Sequence, residues 1–153
     1  MAGARQRTKE NTVPEFAPLA IYLDANVLFS AAYISNCELL KLWRLRRVTP
    51  VTSLYAVGEV RRHAVLTTHQ VRLEELIAKT LIVSDADVRV IPPDVILPAK
   101  DQPILAAAIA ASVDYLLTGD KAHFHHLYSR TISGVGVLRP AEFLSLHMDR
   151  LAE

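Results

Sequence analysis

The sequence predicts an α/β fold with a mainly parallel sheet, and three observations point there. From Leu19 onward, short apolar runs alternate with longer helical patterns. The run Leu19–Leu23 is apolar throughout, as expected of a strand buried on both faces. Of 153 residues, 51% are hydrophobic and 22% charged, which excludes a disordered chain and suits one domain.

The elements follow in order. Residues 1–18 read as a flexible extension, polar to Thr12 and broken by Pro14 and Pro18, so the folded domain is expected over 19–153. The strand Leu19–Leu23 ends abruptly at Asp24. Helical patterns run from about Val27 and over Glu38–Leu45, and Val48–Thr52 is a second strand, weakened by Pro50. Ser53 is placed to cap a helix reaching about Leu66, with Leu54, Val57, Val60, Ala64 and Val65 on its apolar side. Thr67 or Thr68 starts the next helix, through Leu76 and Ile77. Leu81–Val83 and Val88–Ile91 read as short strands, and Pro92, Pro93 and Pro98 mark a loop. Asp101 precedes an alanine-rich helix to about Val113, with Pro103 in its first turn where a missing N–H costs little. Tyr115–Leu117 is a strand broken at Thr118-Gly119-Asp120, and a short helix begins near Lys121. Val135–Leu138 is the last strand, and Pro140 opens a final helix with Leu144 and Leu151 on its apolar side.

Composition narrows the function. The 17 basic and 16 acidic side chains leave a net charge of +1, which excludes a strongly basic nucleic-acid binder but not a basic face. The longest uncharged run, Ala25–Cys37, is shorter than the ~18 apolar residues a membrane span needs. Arg5, Arg7 and Lys9 are not followed directly by an apolar stretch, so no signal peptide is expected. One cysteine, Cys37, excludes an internal disulfide framework and a cysteine-rich zinc site, and a cytoplasmic setting is expected.

Chemistry is expected beyond the carboxyl ends of parallel strands. Asp24 and Asp120 both follow strands. Either alone reads as a helix cap, but two ionised acids at one sheet edge repel unless a cation lies between them. A hard divalent ion, Mg²⁺ or Mn²⁺, answers that need. Asp101 is fully accounted for as an N-cap, and Glu59 reads as part of a solvated face, paired with Arg62.

Four segments together resemble the PIN domain, a family of metal-dependent nucleases. They are Ile21–Leu28 with Ser30, Thr52–Leu54 with Glu59, Lys100–Ala108, and Asp114–Asp120 with Phe124. The resemblance covers Leu19 to about Leu146. It implies a three-layer α/β/α fold and maps the family's acidic quartet onto Asp24, Glu59, Asp101 and Asp120, holding one or two Mg²⁺ or Mn²⁺ ions. Asn26 and Thr118 fall where the family has polar support residues. Small bacterial members of the VapC type are RNA-cleaving toxins, commonly homodimeric and silenced by a small antitoxin protein. The extension before residue 19 and Ala25, at a spot often held by threonine or serine, depart from the shortest toxins.

RNA hydrolysis requires an activated water and neutralised phosphoryl oxygens, tasks suited to carboxylate-held ions. His123, His125 and His126 follow Asp120 and read as an exposed helix face. Lys41, Arg44, Arg46 and Arg47 form a basic cluster containing Trp43, itself read as a core or dimer-contact residue. Arg61, Arg62 and Lys121 flank the acids, where phosphates would be held. Two other readings stand: a non-catalytic PIN domain binding RNA or protein, and a phosphotransferase with Asp24 as nucleophile. The latter usually shows Asp-x-Asp, whereas Ala25-Asn26 follow here.

Overall fold

The structure, a computed structural model, describes residues 15–35 and 37–151. Most of the extension, residues 1–14, lies outside the described residues; residues 15–18 carry no helix or strand.

A six-stranded sheet forms the centre, in the order β3-β2-β1-β4-β6-β5. Its strands are β1 (Leu19–Leu23), β2 (Val48–Ser53), β3 (Leu81–Val83), β4 (Tyr115–Leu117), β5 (Thr131–Ile132) and β6 (Val135–Leu138). All pairings are parallel except β5 with β6. The helices are α1 (Ala25–Tyr33), α2 (Leu54–His63), α3 (Thr67–Ala78), α4 (Gln102–Ala110), α5 (Lys121–Phe124) and α6 (Pro140–Leu146). Connections run from β1 outward to β2 and β3, then return to β4 on the other side of β1. Right-handed crossovers in opposite directions place their helices on opposite faces, giving the α/β/α sandwich. The reversal puts a topological switch point between β1 and β4.

Local sequence explains most boundaries. Ser53 caps α2, its Oγ accepting from Ala56 N–H at 3.3 Å. That hydroxyl also meets the buried Tyr22 hydroxyl at 2.6 Å. Pro50 is tolerated in β2 because β3 pairs only from Val51 onward, leaving one edge of β2 open at that point. Residues Ile104–Ala108 of α4 are all buried, and their alanines let the helix approach the sheet closely.

Several expectations are corrected. Val88–Val90 is a 3-10 turn rather than a strand, because Asp87 Oδ1 captures the Arg89 N–H at 2.9 Å. Glu38–Trp43 is a 3-10 helix, and Leu45 leaves it to form an antiparallel bridge with Leu151. Leu151 therefore lies beyond α6, which ends at Leu146. Helix α2 stops at His63, leaving Val65 76% exposed, and Leu54 in its first turn is 61% exposed. The alanine-rich helix ends at Ala110 rather than Val113. Strand β5, two residues long and antiparallel to β6, is a further element that the apolar pattern does not predict.

Candidate metal centre

The switch point is where the acids gather. Asp24 directly follows β1 and its N–H donates to Leu117 O, which extends the β1–β4 pairing to the strand ends. Asp24 is 5% exposed and its two oxygens have separate partners. Oδ1 accepts from Ala25 N–H at 2.7 Å, at the start of α1. Oδ2 accepts from the Thr118 hydroxyl at 2.8 Å and from Asn26 Nδ2 at 3.2 Å. Thr118 Oγ1 in turn accepts from Asp120 N–H at 3.1 Å, and Asn26 Oδ1 accepts from Gly119 N–H at 3.0 Å. The Tyr128 hydroxyl holds the Thr118 carbonyl at 2.8 Å. Asn26 and Thr118 thus join the loop after β4 to the loop after β1 and fix the direction of Asp24.

Asp120 divides its carboxylate as well. Oδ1 accepts from His123 N–H at 3.2 Å and caps α5, while Oδ2 lies 2.9 Å from His123 Nδ1. For Asp24 and Asp120, capping and the strand-end cluster are therefore compatible. Asp101 differs. It occupies the N-cap position of α4 without making a side-chain cap hydrogen bond. Its side chain is only 10% exposed, and Oδ2 lies 2.8 Å from His123 Nδ1. Neither Asp101 Oδ2 nor His123 Nδ1 has a hydrogen-bond partner, because the short contact lacks hydrogen-bond alignment. The helix-cap explanation of Asp101 is thereby removed.

Glu59 and Asn26 line the same cleft of about 410 Å³ as Asp24, Asp101 and Asp120, together with Phe29, His63, Lys100 and Gly119. Glu59 is half-buried, and among the described residues it makes no ion pair with Arg62. Asp101, Asp120 and His123 each offer one ligand atom, and these atoms lie within 4.8 Å of one another. Asp24 and Glu59 line the cleft outside that triangle. Burial pushes the Asp24 carboxyl up to about 6, against the Thr118 and Ala25 hydrogen bonds, with Asp101 and Asp120 adding repulsion. Asp101 is raised as well, first by burial, with Lys100 and His123 opposing.

This set overlaps strongly with the four segments read from the sequence. The sequence also matches the PIN domain family over residues 20–122. The chain belongs to the PIN domain family. Among solved structures, this PIN domain is similar to a chain of the VapBC2 complex from Rickettsia felis, bound to a DNA fragment from its promoter. The TM-score is 0.55 at 18% identity, covering 79% of this chain and 98% of that one, a likeness of fold. No curated protein sequence matches.

The sequence predicts His123 on an exposed helix face, and the structure corrects this: its Nδ1 is buried against two acids. The signal was the Asp120–His123 spacing, since residues three apart share one side of a helical turn. His125 and His126 are exposed. The basic cluster lies away from the acids. Arg44, Arg46 and Arg47 precede β2, at the amino edge of the sheet, and Arg46 donates to the Arg150 and Asp149 carbonyls. Lys41 pairs with Glu38 and Arg61 with Glu74. Trp43 is half-buried against the core, its Nε1 donating to Thr80 Oγ1 at 2.9 Å. Lys100 and His63 also line the cleft, and no motif in the sequence assigns them a role there.

Proposed function

We propose that this PIN domain is a divalent-metal-dependent endoribonuclease, with Asp24, Glu59, Asp101 and Asp120 as its catalytic, ion-holding carboxylates. The observation that carries the reading is Asp101, a buried acid whose Oδ2 has no hydrogen-bond partner in the cleft it shares with Asp24, Glu59 and Asp120. Left alone, such a group costs roughly 1–3 kcal/mol of desolvation. A cation shared among the acids removes that cost. The donor set of carboxylate oxygens fits Mg²⁺ or Mn²⁺, which take hard oxygen ligands.

When bound, one or two such ions supply Lewis-acid polarisation of a phosphodiester and an acidified water. The chain's own residues do the rest. Thr118 and Asn26 hold Asp24 in one orientation, so its charge is presented without rearrangement. Lys100, on the cleft rim, is placed to neutralise a flanking phosphate, and Phe29 gives one wall an apolar surface. Glu59 reaches the cleft from α2, whose position is tied to the Lys100 loop by the Tyr55 hydroxyl donating to Lys100 O at 2.7 Å.

The biological role we propose is the toxin of a toxin–antitoxin pair, a cytoplasmic homodimer silenced by a small antitoxin protein. The fold likeness to a chain of VapBC2 supports it. Among the described residues no helix is long and apolar enough to cross a membrane. The test is cleavage of labelled RNA with Mg²⁺, Mn²⁺ or a chelator. Cleavage should need the ion and vanish in Asp101→Asn. RNA left intact under every ion condition would overturn the nuclease reading in favour of a binding module.

A further inference from the structure

We propose that His123 is itself an ion ligand, through Nδ1, so that the site is a mixed oxygen–nitrogen centre selecting Mn²⁺ over Mg²⁺. The inference rests on the proposed metal site and goes beyond its four acids. His123 Nδ1 lies 2.8 Å from Asp101 Oδ2 and 2.9 Å from Asp120 Oδ2. Two ligands at right angles, each about 2.1 Å from one ion, stand about 3 Å apart, close to both separations.

A plain ion pair would aim the ring N–H at an oxygen. Here neither contact is aligned as a hydrogen bond, and both Nδ1 and Asp101 Oδ2 are buried and unpartnered. Atoms that converge without pointing at one another match ligands of a common centre. The His123 main chain is anchored beside Asp120, because its N–H donates to Asp120 Oδ1 at 3.2 Å. Among the described residues, His123 is the imidazole whose ring nitrogen converges with the Asp101 and Asp120 oxygens. His63 lines the same cleft with Nδ1 against the Glu59 carbonyl at 2.9 Å, and His126 Nε2 meets the Ile96 carbonyl at 2.8 Å. Magnesium takes oxygen ligands and sheds water reluctantly, whereas imidazole nitrogen suits transition ions.

The experiment is pulsed electron paramagnetic resonance of Mn²⁺ bound to the full chain, with calorimetric titration of Mn²⁺ and Mg²⁺. Wild type should show nitrogen modulation from a coordinated imidazole, altered by ¹⁵N-histidine labelling. His123→Ala should lose the modulation and weaken Mn²⁺ binding by roughly tenfold or more, with a smaller change for Mg²⁺. His63→Ala should keep it. Bound Mn²⁺ without nitrogen modulation in wild type, or modulation surviving in His123→Ala, overturns this inference and leaves the four-acid site standing. Mg²⁺ bound without Mn²⁺ likewise overturns only this inference, and neither ion bound overturns both.

Discussion

Asp24 carries two assignments at once, and its titration separates them. Its carboxyl ionises at 3.8 when solvated and at about 6 in the fold. Between those values the native state binds more protons than the unfolded chain, so metal-free stability falls as pH rises through that window. The fall is of order 2–3 kcal/mol, complete above about pH 6, and should be flattened in Asp24→Asn, as urea unfolding at successive pH values would report. Asp101 and Asp120 give a second contrast. Asp120→Ala loses a helix cap and should cost about 0.5–2 kcal/mol without metal. Asp101→Ala breaks no cap hydrogen bond and relieves a buried charge, so its metal-free melting temperature should hold or rise. Both should lose RNA cleavage. A metal-free loss in Asp101→Ala as large as in Asp120→Ala would return Asp101 to a structural role.

At the scale of elements, caps and apolar runs were legible because their signals are short-range. Ser53 is the clearest case: the residue that caps α2 also pairs with the buried Tyr22 hydroxyl. Ser53→Ala should therefore cost more than a lost cap alone, about 2 kcal/mol by denaturant midpoint. A change below about 0.5 kcal/mol would show that Tyr22 finds another partner. Where elements were misread, a local hydrogen bond or turn decided. Val88–Ile91 has strand composition, but Asp87 turns the chain at once. Strand β5 is only two residues long, and its link to β6, Ser133-Gly134, has positive φ at both positions (50° and 86°), the geometry of a tight hairpin turn. The Ser-Gly pair was the available signal.

At the scale of the whole molecule, the proposed site would couple folding to ion binding. Ligands that bind only the native state stabilise it by RT ln(1 + [L]/Kd), about 2.7 kcal/mol at one hundred times Kd. Melting curves should move upward with Mn²⁺, and the shift should shrink in Asp101→Asn. Identical curves with and without ion would count against the site. The shift should also grow from pH 5 to pH 7, because the ion competes with protons for Asp24 and Asp101.

The sequence by itself determined most of the strand–helix order, the Ser53 cap, and the placement of Asp24 and Asp120 just past apolar strands. Those follow from periodicity and from residues adjacent in the chain. Only the tertiary structure decided which side chains meet. Asp24 and Thr118 are 94 residues apart and touch because β1 pairs with β4. Glu59 sits on the polar side of its helix in either account, and only the packing of α2 beside the switch point turns that side into a cleft wall. The Asp101 carboxylate could have capped its own helix, and the burial of Oδ2 against His123 is what excludes that bland role. The arginines near residue 45 form a basic cluster in the sequence, and the sheet assigns them to the edge opposite the acids. Local propensity is written in neighbours along the chain, whereas a site is written in pairs joined only by long-range strand pairing and helix packing.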